Sequence, residues 1–329
     1  MSEHDVTFPA MGSEMRLLIG EPLEPHLPGP EEAAARVTEY IQEFDARLSR
    51  FRAESELCAL NDDERVEAPA SDLLRSAVSA GLWAAEHSGG LVDPALLGAL
   101  EAAGYRESRK GVAPVALAAA LASAPPRRAA SANPHSRWRE VLVDDERGLI
   151  RRPAGLRFDT GGSGKGLCAD NVAEMLRGYS RFVIDCGGDM RVGGPAADAA
   201  PYEIEIEHPV SGECAARLPL GRGAIATSGM NTRVWRRDDG TFAHHLIDPS
   251  TGEPAWTGLV SATAIAPTTL QAETLAKTAF LLGPRGARRT LRARGGAIVH
   301  EDGRVELVGR LKLEPLLRLR ISAPHGVAA

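Results

Sequence analysis

Residues 159–166 of this 329-residue chain read Asp-Thr-Gly-Gly-Ser-Gly-Lys-Gly. They follow a short apolar stretch, Leu156–Phe158, and precede residues 167–176, whose apolar side chains have helical spacing. Glycines in a strand-to-helix turn can adopt positive φ angles and let a ligand approach the backbone N–H groups at the start of a helix. The segment therefore predicts a binding loop for a phosphate-bearing ligand. A plain strand-to-helix turn is the alternative.

Two familiar phosphate-binding loops do not match this segment. A Walker loop needs a glycine five positions before its Gly-Lys pair and a Ser or Thr after that pair, and Asp159 and Gly166 occupy those positions. The dinucleotide fingerprint G-x-G-x-x-G also fails, because Gly162, Gly164 and Gly166 have the wrong spacing. The ligand class must come from other parts of the chain.

Composition excludes several function classes. The formal net charge of −6 argues against a nucleic-acid partner, because binding to phosphate backbones needs a basic surface. No apolar run approaches the roughly 20 residues of a transmembrane helix. The four cysteines form no C-x-x-C pair, so reduced thiols fit better than a zinc site or a disulfide scaffold. Together with a polar, acidic N-terminus, these features predict a cytoplasmic protein without an export signal.

Periodicity predicts an α+β fold with mixed or antiparallel sheets and helices packed between them. Helices are predicted over Glu31–Leu48, from a cap at Asp72 to Gly89, over Leu270–Leu282, and onward to Arg294. Strands are predicted mainly after Trp138, including Leu156–Phe158, Tyr202–Glu207, His245–Ile247 and Leu259–Ala266. We expect residues 1–329 to form a single domain, or two intertwined subdomains, with a low-complexity Ala/Pro-rich insertion at 110–136.

Five polar or glycine-rich clusters stand out from ordinary core sequence. They are Met11–Ser13; Ser55–Leu57 with Leu60-Asn61; Asp159–Gly166; Asp185–Asp189; and Thr227–Gly229 followed by the run from His244 to Gly252. Each cluster alone is weak evidence for a functional site, because segments such as Asp248–Gly252 are common β-turn sequences.

In their order along the chain and in their residues, these clusters resemble the ApbE family of flavin transferases, which move FMN from FAD to a Ser or Thr of another protein. Three further matching blocks are residues 44–51, Gly90–Pro94 and Ala272–Gly283. The resemblance covers nearly the whole chain and implies an ApbE-like architecture related to the T-fold. It also implies FAD as substrate and Mg²⁺ as metal.

The resemblance assigns roles to particular residues. His245 would be the general base toward the acceptor hydroxyl, a task that suits histidine at neutral pH, although a strand histidine satisfied by a neighbour is the alternative. Alternation along a strand places His244 on the opposite face. Lys165 would be a phosphate contact or a surface lysine at a helix start. The other implied cofactor-binding positions are Met11, Glu56, Asp159, Gly161, Gly162, Asp189, Thr227, Ser228 and Gly229.

The implied metal ligands depart from the family pattern. The family has an Asp and, four residues later, a Thr, together with a loop carbonyl; the corresponding positions here are Glu273, Lys277 and Gly164. Lysine removes an oxygen ligand and adds a cation. Lys277 could replace the metal as a point charge on the pyrophosphate, close the metal site through a salt bridge to Glu273, or form an unrelated solvated i,i+4 pair.

Three functions follow from these observations. The first is FAD:protein FMN transfer to a partner flavoprotein with release of AMP; the acceptor would carry a Ser/Thr-Gly-Ala-Thr/Ser-like segment, which this chain lacks. The second is hydrolysis of the FAD pyrophosphate to FMN and AMP. The third is flavin binding without transfer, because the Mg²⁺ site is altered.

Overall fold

The computed structural model describes residues 3–109, 112, 115–230 and 233–309, and the backbone of 317–321. A sheet of eight strands, in the order β1-β2-β6-β7-β10-β15-β16-β17, runs through the molecule. Every neighbouring pair in it is antiparallel. The predicted α+β class is confirmed.

The strands of the described residues are β1 (His4–Ala10), β2 (Ser13–Ile19), β3 (Glu67–Pro69), β4 (Leu142–Asp144), β5 (Leu149–Arg151), β6 (Phe182–Cys186), β7 (Asp189–Gly193), β8 (Tyr202–Glu207), β9 (Cys214–Leu220), β10 (Gly223–Gly229), β11 (Val234–Arg236), β12 (Phe242–His244), β13 (Ile247–Asp248), β14 (Glu253–Pro254), β15 (Leu259–Ala266), β16 (Gly296–His300), β17 (Val305–Val308) and β18 (Leu317–Ile321). Two small sheets, β18-β8-β9 and β3-β5-β4, and the hairpins β11-β12 and β13-β14 complete the β-structure of the described part of the chain.

The helices of the same residues are α1 (Pro30–Leu48), α2 (Glu56–Asp62), α3 (Asp72–His87), α4 (Leu97–Ala102), α5 (Leu117–Ser123), α6 (Gly164–Met175), α7 (Thr269–Leu281) and α8 (Gly283–Leu291). Short 3₁₀ turns cover Arg137–Glu140 and Pro195–Ala197. None of these helices is both long and apolar enough to cross a bilayer.

The long helices follow the predicted periodicity, with one corrected cap. Helix α1 starts at Pro30 and buries Val37, Ile41 and Phe44 on one face. The prediction that Asp72 caps α3 is wrong. Ser71 is the cap, because its side-chain oxygen accepts the Leu74 N–H while Asp72 is already in the first turn.

Two predicted strands are also corrected. Residues 156–158 form no strand, because the side chain of Asn61 bonds both the N–H and the C=O of Phe158, at 2.7 and 2.9 Å, in place of a neighbouring strand. The predicted strand His245–Ile247 is interrupted. Strand β12 ends at His244 and β13 begins at Ile247, so His245 lies in the bend between them.

Buried apolar side chains cover both faces of the main sheet. On one face α1 packs on β2 and α6 packs on β6, with α3 against both helices. Farther along the sheet α7 packs on β10 and β15, and α8 packs on β15 and β16. On the other face lies a group that we call the apolar layer. It includes Leu18, Val183, Val192, Ile204, Ile206 and Leu218, and joins the main sheet to the β8-β9 hairpin.

The predicted insertion begins at Lys110, and residues 110, 111, 113 and 114 lie outside the described residues. From 115 onward it contains α5 and then an irregular segment that bonds to the rest of the fold. The N–H groups of Arg128 and Ala130 donate to the carbonyls of Trp256 and Leu281, at 3.0 and 2.8 Å. That residues 1–329 form a single domain stays a prediction.

Candidate active site

The glycine-rich loop folds into a tight turn at the start of α6. The carbonyl of Thr160 accepts hydrogen bonds from the N–H groups of Ser163 and Gly164, at 3.1 and 2.7 Å. A carboxylate oxygen of Asp159 accepts the Gly161 N–H at 3.0 Å. Met11 has a positive φ of 51° in the turn between β1 and β2, and its Cε lies 3.8 Å from where a Cβ on Gly164 would stand. The first and third sequence clusters are therefore neighbours in space.

Helix α7 is fixed closely against α6. A Cβ on Gly166 would lie 2.7 Å from the Cα of Leu270, so only glycine permits this approach. The two carboxylate oxygens of Asp170 accept the N–H groups of Thr269 and Leu270, at 2.7 and 3.0 Å. These contacts set the position of Glu273 and Lys277 relative to the loop.

Two ion pairs lie side by side where the helices meet the sheet; we call their four residues the charged cluster. Lys165 on α6 pairs with Asp189 at the start of β7, at 2.6 Å. Lys277 pairs with Glu273 on α7, at 2.8 Å. Glu273 is fully buried, and its second oxygen accepts the Gly166 N–H at 2.9 Å. Both of its oxygens are therefore engaged.

Burial and mutual attraction shift the pKa values in the charged cluster. Burial would lower the pKa of Lys165, but the carboxylates of Asp189 and Glu273 outweigh it and raise that pKa. Burial also raises the pKa of Glu273, against the opposing effect of the Lys277 charge. The nearby carboxyl of Asp185 has its pKa raised to about 6, mainly by burial. Lys165 therefore stays charged at neutral pH.

His245 faces the cleft as a neutral base. Burial, followed by the positive charges of Arg233, Lys277 and Lys165, lowers the pKa of His245 well below its ordinary value. Its buried Nδ1 has no hydrogen-bond partner among the described residues. A neutral imidazole can accept a proton at neutral pH, which is the property a general base needs.

His244, the adjacent residue, lies in a different environment. It is fully buried, with its ring edge-on to Trp256 and Phe280 at centroid distances of 4.8 and 6.1 Å. Burial lowers the pKa of His244 to about 3. Its Nδ1 accepts the N–H of Leu246 at 3.2 Å. His245 therefore lines the cleft, whereas His244 is buried among aromatic side chains; strand alternation does not apply here, because β12 ends at His244.

A cleft next to the loop holds about 730 Å³ of space, part of it open to solvent. Its lining includes three of the predicted site residues on the loop, namely Asp159, Gly161 and Gly162, together with His245 and Lys277. Apolar side chains such as Leu91, Val92, Leu100 and Leu281 form much of the remaining wall. An apolar cleft with a few converging polar groups is typical of a small-molecule site.

The other predicted residues lie at different distances from the cleft. Gly164 and Lys165 belong to the loop but are outside the cleft lining, and Lys165 pairs with Asp189 of β7. Thr227, Ser228 and Gly229 lie on β10, which pairs with β7. The hydroxyl of Thr227 contacts that of Thr263 at 2.9 Å. Glu56 is outside the cleft lining: it bonds Arg47 at 2.7 Å and accepts from Ser71, joining α1, α2 and α3.

Three polar residues of this region were not among the predicted site residues. Arg233 lines the cleft, and none of the described residues forms an ion pair with it. Arg50 is almost buried behind the loop, with its Nε 3.6 Å from Asp159. Asp93 lines the cleft and accepts from Ser136. Asp93 and Arg50 belong to sequence blocks that resemble the family, which was the available signal; the sequence offers none for Arg233.

The predicted metal ligands do not form a metal site. Gly164 is the first residue of α6, the oxygens of Glu273 bond Lys277 and Gly166, and the Lys277 ammonium has no lone pair to offer. Within the described ranges, no group of three or more His, Cys, Asp or Glu side chains could hold a metal ion. These residues do not fit Mg²⁺, which prefers oxygen ligands.

Comparison with known proteins assigns the chain to a family. The family model described as the ApbE family matches residues 11–299. The chain belongs to the ApbE family. Its sequence is 33% identical over 147 residues to the FAD:protein FMN transferase of Escherichia coli K12, covering 44% of this chain and 42% of that protein. To the FAD:protein FMN transferase of Treponema pallidum it is 30% identical over 265 residues, covering 76% of this chain and 71% of that protein.

Solved structures share the fold of this ApbE family member. The ApbE protein of Thermotoga maritima superimposes with a TM-score of 0.76 at 24% identity, covering 93% of this chain and 97% of that one. The flavin transferase ApbE of Vibrio cholerae does so with a TM-score of 0.70 at 21% identity, covering 93% and 97%. The predicted ApbE-like architecture is confirmed.

Proposed function

We propose that this protein is an FAD:protein FMN transferase, which moves FMN from FAD to a Ser or Thr hydroxyl of a partner flavoprotein. The activity for which the two relatives are named supports the proposal. The observation that carries it is His245, a base kept neutral in a cleft between the glycine-rich loop and the cations Arg233 and Lys277.

The proposed reaction is a displacement at phosphorus. The acceptor oxygen attacks the phosphorus on the FMN side of the FAD pyrophosphate, a new P–O bond forms to that oxygen, and the bond to the bridging oxygen breaks. AMP leaves with the bridging oxygen. His245 takes the proton of the hydroxyl, so that the nucleophile does not accumulate positive charge as it attacks.

Fixed positive charge near the loop would stabilise the transition state. Negative charge grows on the leaving phosphate during the displacement, and the ammonium groups of Lys165 and Lys277 and the guanidinium of Arg233 are held nearby by the fold. Because the same cations lower the pKa of His245, substrate binding and base strength are coupled.

We also propose which residues contact FAD. Asp159, Gly161, Gly162 and Lys165 belong to the loop, and Met11 lies beside it. Asp189 pairs with Lys165, and residues 227–229 lie on the next strand. The role of Glu56, which joins three helices outside the cleft, stays a prediction from the resemblance alone.

The test is flavinylation of an acceptor peptide that contains a Ser/Thr-Gly-Ala-Thr/Ser-like segment. Purified protein, FAD and peptide are incubated, and peptide mass and free nucleotides are measured. We expect one AMP for each flavinylated peptide, and no product with a peptide whose terminal Thr or Ser of the segment is Ala.

The other outcomes separate the alternatives. Equal amounts of FMN and AMP without modified peptide would indicate pyrophosphate hydrolysis, with water as the nucleophile. Bound FAD that stays intact with every acceptor tested would indicate a flavin-binding protein. Either result would overturn the transfer proposal.

A further inference from the structure

The residues at the predicted metal positions form a closed ion pair, and this pair borders the cleft. Lys277 donates one N–H of its ammonium to Glu273 at 2.8 Å. A lysine ammonium has three N–H donors, so two remain for other partners. The side chain is 12% exposed and lines the cleft together with Gly161 and Gly162. A cation with spare donors therefore stands beside the proposed phosphate-binding loop.

Two cations line the cleft at this point, Lys277 and Arg233. Behind them Lys165 is paired with Asp189, and the buried carboxyl of Asp185 lies near Lys165. Asp159 and Asp93 also line the cleft, but Asp159 lies 3.6 Å from Arg50, and Asp93 accepts from Ser136 and the Ala95 N–H. The four residues of the charged cluster balance one another, and Arg233 adds a further cation at the cleft.

A divalent cation would have to displace this arrangement. Glu273 is fully buried and has both oxygens engaged, so a metal bound to it would replace Lys277 or the Gly166 N–H. Moving Lys277 away would separate a partly buried ion pair, which is strongly unfavourable. The fold therefore disfavours a metal where the family resemblance implies one.

We propose that the Lys277 ammonium, held by Glu273, takes the place of the divalent cation and binds the pyrophosphate of FAD directly. FAD binding and transfer then proceed without metal. Lysine binds phosphate as a point charge, and the salt bridge to Glu273 keeps it in position. This inference rests on the proposed function for the identity of the ligand, but it concerns how the pyrophosphate is bound and can be tested by binding alone.

The experiment is FAD titration, by calorimetry, of metal-free protein in EDTA and of the same protein in excess MgCl₂. We expect the same Kd in both. Lys277→Met, which removes the charge and keeps the length, should weaken FAD binding about 10- to 100-fold, the usual effect of losing a charge-assisted hydrogen bond. Lys277→Arg should recover part of this loss. Arg36→Met, which breaks the exposed i,i+4 pair with Glu32 on α1, is the matched control and should leave the Kd unchanged.

A second variant restores the oxygen ligands. Glu273→Asp with Lys277→Thr should bind FAD weakly in EDTA and more tightly with Mg²⁺, and direct titration with MgCl₂ should detect metal binding that the wild type lacks. Circular dichroism and the Tm of each variant establish that it is folded. These measurements do not depend on turnover.

The outcomes separate this inference from the proposed function. Tighter FAD binding by the wild type in Mg²⁺, or unchanged binding by folded Lys277→Met, would overturn the role of Lys277 and leave flavin transfer standing. Metal-free, Lys277-dependent FAD binding without any peptide flavinylation would overturn the transfer proposal and support this inference. Failure to bind FAD under both conditions would overturn both.

Discussion

The charged cluster and the apolar layer are both buried, but they are built from opposite kinds of side chain. The apolar layer joins the β8-β9 hairpin to the main sheet through aliphatic groups such as Ile204 and Leu218. Burial of such groups stabilises the fold by roughly 25 cal/mol per Å². Buried ion pairs contribute little net stability, because desolvation offsets their attraction. The comparison teaches that stability and reactivity reside in different places, so substitutions in the two regions should have separable effects.

The largest effect is expected from His245→Ala, at the cleft. Loss of the base should lower the transfer rate by about 10²- to 10⁴-fold. FAD affinity and Tm should change little, because the Nδ1 of His245 has no hydrogen-bond partner among the described residues. Single-turnover kinetics with the acceptor peptide and calorimetry with FAD measure the two quantities. His87→Ala, at an exposed histidine near the end of α3, is the control. A parallel loss of FAD affinity would make His245 a ligand contact instead of a base.

Leu218→Ala, in the apolar layer, should change stability and leave the transfer rate unaffected, the reverse of the result expected for His245→Ala. The side chain is fully buried, so its truncation should reduce the free energy of unfolding by about 2–5 kcal/mol. The transfer rate per folded molecule should stay the same. Urea unfolding gives the stability, and Leu307→Ala, at a half-exposed leucine of β17, should cost less than about 0.5 kcal/mol. A large fall in the rate of the folded variant would show that the two regions are coupled.

A smaller effect is expected from His244→Phe, in which the change in stability should depend on pH. The pKa of His244 is about 3 in the folded state and near 6.5 when unfolded, so below pH 6.5 the unfolded state binds the proton first and the folded state loses stability. This loss is about 2 kcal/mol at pH 5 and vanishes at about pH 7.5.

The variant lacks this titration. As the pH falls from 7.5 to 5, the stability of the variant relative to wild type should therefore rise by about 2 kcal/mol. The carboxyl of Asp185, with a pKa of about 6, has the opposite pH dependence, but it is present in both proteins and cancels from the difference. Urea unfolding of both proteins at the two pH values measures the difference in their free energy of unfolding. An equal stability difference at the two pH values would mean that His244 is not held neutral.

The elements that the sequence predicts well are those with strong local patterns. Helix α1 and strand β8 follow from periodicity, because each buries a regular face. The predicted strand at 156–158 failed, because the bonds of Phe158 come from Asn61, 97 residues earlier in the chain. Local pattern carries no information on such a partner.

In the candidate site, too, local sequence predicts some features, and tertiary packing determines the others. The loop residues and His245 were identified, because their sequence blocks resemble a family. The i,i+4 spacing of Glu273 and Lys277 allowed a salt bridge, but only packing shows that Gly166 engages the second carboxylate oxygen. Arg233 has no local motif, and it reaches the cleft through the tertiary path of the chain.

The central claim is that His245 acts as a neutral base among cations, and the pH dependence of kcat/KM for peptide flavinylation tests it most directly. The acid limb of this profile reports the pKa of the base in the free enzyme. Burial and the charges of Arg233, Lys277 and Lys165 lower the pKa of His245, so kcat/KM should stay constant as the pH falls through 6.5, and the limb should appear only at lower pH. In Lys277→Met the acid limb should move to higher pH, because the variant lacks one of the positive charges that lower the pKa of His245. An acid limb at or above pH 6.5 in the wild type would contradict the account.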